Sequence, residues 1–180
     1  MIPYVALASF VHSAAGAVHA VVAILCIGVG LIQFLRPKRG AGHRARGYLY
    51  VYAMLVADGT AMLVYRFTGT LNLFHVGAIV NFVCIVAAIV PLLRSPRPAN
   101  WRLKHYYFIS WSYVSLVSAA ATEIVVRLLP LTTRGQVGLV ALVLSIMAMT
   151  IAYVLIGKYR PPAEAPPLSA KLAGQSGVPS

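Results

Sequence analysis

Apolar residues come in long blocks along this chain, and polar residues gather between the blocks. A helix that crosses a bilayer needs about 20 mostly apolar residues. Five stretches meet that length: 5–35, 47–65, 74–93, 106–129 and 137–156. The pattern predicts an all-α integral membrane protein, a bundle of five transmembrane helices. Four of them form a core. The fifth carries no ionisable residue between Val137 and Ile156 and reads as a packing or oligomerisation helix. Residues 1–157 form the transmembrane domain. Residues 158–180 are rich in proline and small residues and read as a disordered tail.

Composition narrows the class further. Hydrophobic residues make up 60% of the chain and charged residues 10%, whereas a soluble domain carries about 25% charged residues. Soluble globular and disordered classes are both excluded. Two cysteines are too few for a disulfide scaffold. The charge is lopsided, with 15 Lys and Arg against 3 Asp and Glu, a net +12. Taken as a total, this suggests nucleic-acid binding; taken by position, it does not. Twelve of the basic residues fall in 36–46, 94–105 and 157–180, all on one side of the predicted spans. Arg66, Arg127 and Arg134 fall on the other side. Short basic loops stay in the cytoplasm, so the N-terminus is expected outside and the C-terminal tail in the cytoplasm. The +12 is then a topology signal, with attraction to anionic lipid headgroups as a consequence. The bilayer is the expected partner, and nucleic acid is not. No basic residue precedes the first apolar run, which continues past Ala20, so a retained helix is expected there rather than a cleaved signal peptide.

Ionisable residues inside a span are costly and mark functional candidates. At a rise of about 1.5 Å per residue, His19 and Glu123 lie roughly 24–25 Å from the basic end of their helices. His75 opens the third span at that far side, and Arg66 and Arg127 end the second and fourth. His12 shares a face with His19 one step further out. Asp58 sits near the midplane, with Asn81 at a comparable depth in the third span. Glu123 and Arg127 are spaced to pair along one helix. Asp58 has no basic residue at i±3 or i±4, so either its partner comes from another helix, with His19 and Arg66 as candidates, or it is protonated. On the basic side, His43 precedes the second span and His105 opens the fourth, both flanked by basic residues. Tyr48, Tyr50, Tyr52, Trp101, Tyr106, Tyr107 and Trp111 read mainly as an interfacial aromatic belt. Gly28, Gly30, Ser112, Ser115 and Ala119 are candidates for close helix approach. Cys26 and Cys84 read as small core residues. Pro91 is expected to bend or end the third helix.

No phosphate-binding loop, zinc signature or nucleophile elbow occurs in the chain. No metal site of those kinds is therefore expected. Two stretches carry a resemblance. The run His43-Arg44-Ala45-Arg46-Gly47-Tyr48-Leu49-Tyr50 is an H-R-x-x-G-x-x-Y pattern, and His105 is followed by Ser112-Tyr113. With His19 ahead of them, they resemble a family of bacterial predicted integral-membrane proteins catalogued as a domain of unknown function, over about residues 12–130. The resemblance implies a polytopic membrane protein and supplies no activity; a multi-pass protein of a bacterial inner membrane is expected.

Three activities suit the inventory. The first is haem b binding with transmembrane electron transfer. His19 and His75 would hold one haem and His43 and His105 another, while Arg44, Arg66 and Arg127 meet propionates. The second is a small proton-coupled transporter using Asp58, Glu123, His19 and His12, which would require a homo-oligomer. The third is a non-catalytic subunit or assembly factor of a membrane complex. Whether the protein is an enzyme is left open by these residues.

Overall fold

A computed structural model describes residues 14–63, 71, 73–131 and 133–162. The expectations for His12, Arg66 and most of the tail lie outside these residues. The described chain is all-helical: α1 (Ala14–Leu35), α2 (Gly40–Ala61), α3 (Leu73–Leu93), α4 (Trp101–Leu128) and α5 (Arg134–Lys158). Neighbours along the chain run antiparallel. Late α1 meets early α2 where Gln33 bonds His43, and early α1 meets late α2 where His19 bonds Ala57. Late α3 meets early α4 at Ala88 and His105, and early α4 meets late α5 at Tyr106 and Ile156. The principal contacts run α1–α2–α3–α4 and back to α1, closing a four-helix ring, while α5 packs on α4.

Among the described residues, four helical segments are long and apolar enough to cross a membrane: Ala14–Leu35, Phe74–Leu93, Trp101–Leu128 and Gly135–Lys158. The helix outside this set is α2. It starts at Gly40, seven residues before the expected span at 47, and so takes His43, Arg44 and Arg46 into its first two turns. Helix propensity explains the early start, since alanine and arginine favour helix whatever their hydropathy. Gly40 opens the helix at a φ of +77°, a backbone setting suited to glycine. In the same way α4 starts at Trp101 rather than 106, which draws His105 into the second turn. Helix α3 continues for two residues beyond Pro91 and then ends.

The exposure pattern is that of a protein in lipid. Large apolar side chains face outward, with Ile24 71% exposed on α1 and Tyr153 73% exposed on α5. The interior is small and mixed. Cys26 and Val29 of α1, Tyr50, Ala53 and Met54 of α2, Ile85 of α3 and Leu116 of α4 form one cluster. Tyr50 therefore belongs to the core rather than to an interfacial belt, with its hydroxyl 3.1 Å from that of the fully buried Ser112. Tyr48 and Tyr52 face outward and stack on each other. Gly30 is a point of close approach, where a Cβ would clash with the edge of the Tyr113 ring. At Gly28 the space is open, and Ala119 is exposed, so neither marks a close helix crossing. Cys26 and Cys84 are free thiols.

Candidate functional site

The polar side chains inside the bundle form two layers, separated by the core around Tyr50. The layer away from the basic end draws on all four ring helices. Asp58 of α2 meets Asn81 of α3, whose Nδ2 donates to both carboxylate oxygens at 2.9 Å. Asn81 takes the place expected for His19, and Arg66, the other expected partner, lies outside the described residues. The physical reason is helix rotation: His19 faces the α2 backbone, with Nδ1 3.0 Å from the Ala57 carbonyl and 3.3 Å from the Thr60 hydroxyl. The Thr60 hydroxyl itself donates to the Val56 carbonyl at 2.7 Å, so toward His19 it accepts. Cys26 and Cys84 lie within electrostatic reach of Asp58.

His75, the third residue of α3, is only 2% exposed. Its place near a helix end does not carry it out of the bundle. Glu123 and Arg127 pair along α4 at 2.6 Å, as their spacing predicts. That ion pair is separate from the Asp58–Asn81 pair. Thr122, next to Glu123, is buried and was not singled out by the sequence pattern. Among the described residues, the Thr122 hydroxyl and the Asn81 Oδ1 have no hydrogen-bond partner. Both leave polar capacity inside the bundle, which a ligand or water would satisfy.

The layer at the basic end is built around Gln33 of α1. Its Nε2 lies 2.6 Å from His43 Nδ1 and donates to the His43 carbonyl at 2.9 Å. Arg46 Nε donates to Gln33 Oε1 at 2.9 Å, which fixes the orientation of the amide. His43 Nδ1 must then accept, and its hydrogen sits on Nε2. Burial, followed by the nearby charges of His105, Arg46 and Lys38, holds the His43 imidazolium below its ordinary pKa. His105 turns Nδ1 to the Ala88 carbonyl at 3.1 Å, so there Nδ1 carries the hydrogen and Nε2 keeps its lone pair. Arg44 is exposed at this end.

The structure thus brings His43 and His105 together at one end of the ring and puts His19 and His75 on the other layer. Each pair comes from helices that are not neighbours in the ring: α1 with α3, and α2 with α4. The step of 14 positions along α2 from His43 to Ala57, which meets His19, separates the layers by about 21 Å. Among the described residues, no three His, Cys, Asp or Glu side chains gather to hold a metal ion. The sequence pattern missed Gln33, a residue without charge or motif. Only its partners on α2 reveal its role.

A model of the family described as Predicted membrane protein (DUF2306) matches residues 16–159. No curated protein sequence and no solved structure matches the chain.

Proposed function

The chain belongs to the DUF2306 family of predicted membrane proteins, and from that premise we propose that it is a b-type haem protein carrying electrons across a bilayer. One observation carries this reading. His19 and His105, one in each layer, both turn Nδ1 to a backbone carbonyl of the neighbouring helix. A histidine that binds a metal almost always has its second ring nitrogen fixed in this way, which leaves Nε2 as the ligand. The layered arrangement supports the reading, since ring-diagonal helices direct paired histidines toward one bundle interior. In the outer layer His19 and His75 are the proposed ligands. At the basic end His105 presents a ligand lone pair, and His43 joins it only by giving up its contact with Gln33. Arg127 and Arg44 are proposed propionate partners.

Expression with ample haem, followed by absorbance spectroscopy of the purified protein, tests this directly. A Soret band is expected, with reduced-minus-oxidised bands of six-coordinate haem. His19→Ala and His105→Ala are each expected to remove one of two haem contributions. Absence of a Soret band overturns the reading.

The lopsided placement of basic residues supports an orientation with the N-terminus outside and the basic end in the cytoplasm. We place the protein in a bacterial inner membrane, with α2 crossing from about residue 47 onward. A second reading rests on a separate observation: a carboxylate inside the ring, Asp58, held by an amide of the next helix. Such a group suits proton-coupled transport. Proton flux into proteoliposomes loaded with a pH-sensitive dye is the measurement. Flux lost in Asp58→Asn supports this reading, and flux unchanged in Asp58→Asn removes it.

A further inference from the structure

A groove of about 450 Å³ lies between α4 and α5 at the basic end, with none of the candidate histidines in its lining. Tyr107 and Trp111 of α4 and Tyr153 and Gly157 of α5 line it, together with Lys158 and Arg160. The Tyr106 hydroxyl, bonded to the Ile156 carbonyl at 2.9 Å, ties the two helices together beside it. Gly157 adds no bulk, and a Cβ there would meet nothing within 4 Å.

The chemistry of the lining is specific. The walls are aromatic and apolar. The two cations lie where α5, a helix apolar enough to cross a membrane, reaches its end. That is the depth of the lipid headgroups. The acids among the described residues are committed elsewhere, Asp58 to Asn81 and Glu123 to Arg127. Glu164, four residues beyond Arg160, lies outside the described residues. Among the described residues, then, no acid is left to neutralise Lys158 and Arg160.

We propose that this groove seats an anionic phospholipid, its phosphate between Lys158 and Arg160 and its upper acyl chains against Tyr107, Trp111 and Tyr153. Basic pockets between membrane helices bind acidic headgroups in this way. The proposal rests on the membrane character of the helices and is independent of haem.

Trp111 supplies the readout. The chain has two tryptophans, so Trp101→Phe leaves Trp111 as the single fluorophore. The full chain, reconstituted in phosphatidylcholine bilayers, is titrated with brominated phosphatidylglycerol or brominated phosphatidylcholine. Quenching by the acidic lipid is expected at a relative affinity higher on the order of tenfold. K158Q/R160Q abolishes that preference, while R36Q/R39Q, which removes the same charge from the α1–α2 link, preserves it. Native mass spectrometry of the two double variants reports retained lipid independently of fluorescence. Equal quenching by the two lipids overturns the proposal. So does a preference that survives K158Q/R160Q, or one lost equally in R36Q/R39Q. Displacement by inorganic phosphate assigns the groove to a free anion, and a preference seen only in E164Q assigns it to the chain's own tail. Both results also overturn the proposal.

Discussion

At the scale of single residues, the polar groups inside the bundle behave according to whether their partner is local. Glu123 and Arg127 were legible in the sequence because four residues is one helical turn, and helix geometry alone brings them together. Asp58 was legible as a costly acid within a span, but Asn81 was not legible as its partner. That pairing depends on how α2 and α3 rotate against each other, which no spacing along one chain encodes. The pair makes a graded prediction. Asn81→Ala strands the carboxylate and is expected to cost about 1–3 kcal/mol. Asp58→Asn retains a hydrogen bond between amides and costs less. Thermal unfolding in detergent compares the two, and the reverse order would show that Asn81 does not stabilise Asp58. Gly30 offers a second prediction. A methyl group there clashes with the edge of the Tyr113 ring, which is held by its hydroxyl bond to the Ile27 carbonyl and by a tilted contact with Phe34. Overpacking of this kind costs about 1–3 kcal/mol. Gly30→Ala is expected to lower the unfolding midpoint, whereas Gly28→Ala, at an open site, is not.

At the scale of elements, apolar run length located the helices but not their starts. Lipid solubility and helix propensity are different properties, and the segment 40–46 separates them. It is basic, so hydropathy starts the span only at 47, yet four of its seven residues are alanine or arginine, and α2 extends through it. The consequence for the candidate site is direct. His43 becomes a helical residue facing Gln33 of α1 instead of a loop residue. The start of α5 shows a signal that hydropathy also overlooks. Thr133 and Gln136 fit the S/T-x-x-E/Q pattern, and both reciprocal bonds form: Gln136 N to Thr133 Oγ1 at 3.3 Å, and Thr133 N to Gln136 Oε1 at 3.1 Å. The cap satisfies backbone donors where the chain turns back toward α4. Thr133→Ala is expected to cost about 1 kcal/mol. The loss should appear as faster amide exchange in the first turn of α5, with α1 to α4 unaffected. Exchange that rises equally in all five helices would place the role of Thr133 elsewhere.

At the scale of the whole molecule, the ring consists of two hairpins, α1–α2 and α3–α4, whose seam crosses the basic end at His43 and His105. Charge is distributed unevenly along that seam. Lys38 and Arg46 stand near His43, with His105 opposite, and the described acids belong to the other layer. A proton added to His43 therefore stands beside Lys38 and Arg46 with no acid among the described residues to compensate it. It also removes the acceptor that Gln33 uses, because a protonated imidazole offers two donors and no lone pair. The sign of the pH effect follows from linkage. In the unfolded chain His43 titrates at the ordinary imidazole value, near 6.5, and in the folded chain it titrates lower. The unfolded state thus binds the proton first as pH falls. Stability from the neutral His43 is complete above about 6.5 and is lost as pH drops through the folded value. The unfolding midpoint of the detergent-solubilised protein is expected to fall below that pH. His43→Gln should flatten the fall, since a glutamine amide keeps a partner for Gln33 and carries no titrating proton. A midpoint that drops equally in His43→Gln would move the acid sensitivity to another group, with His105 across the seam the first to replace.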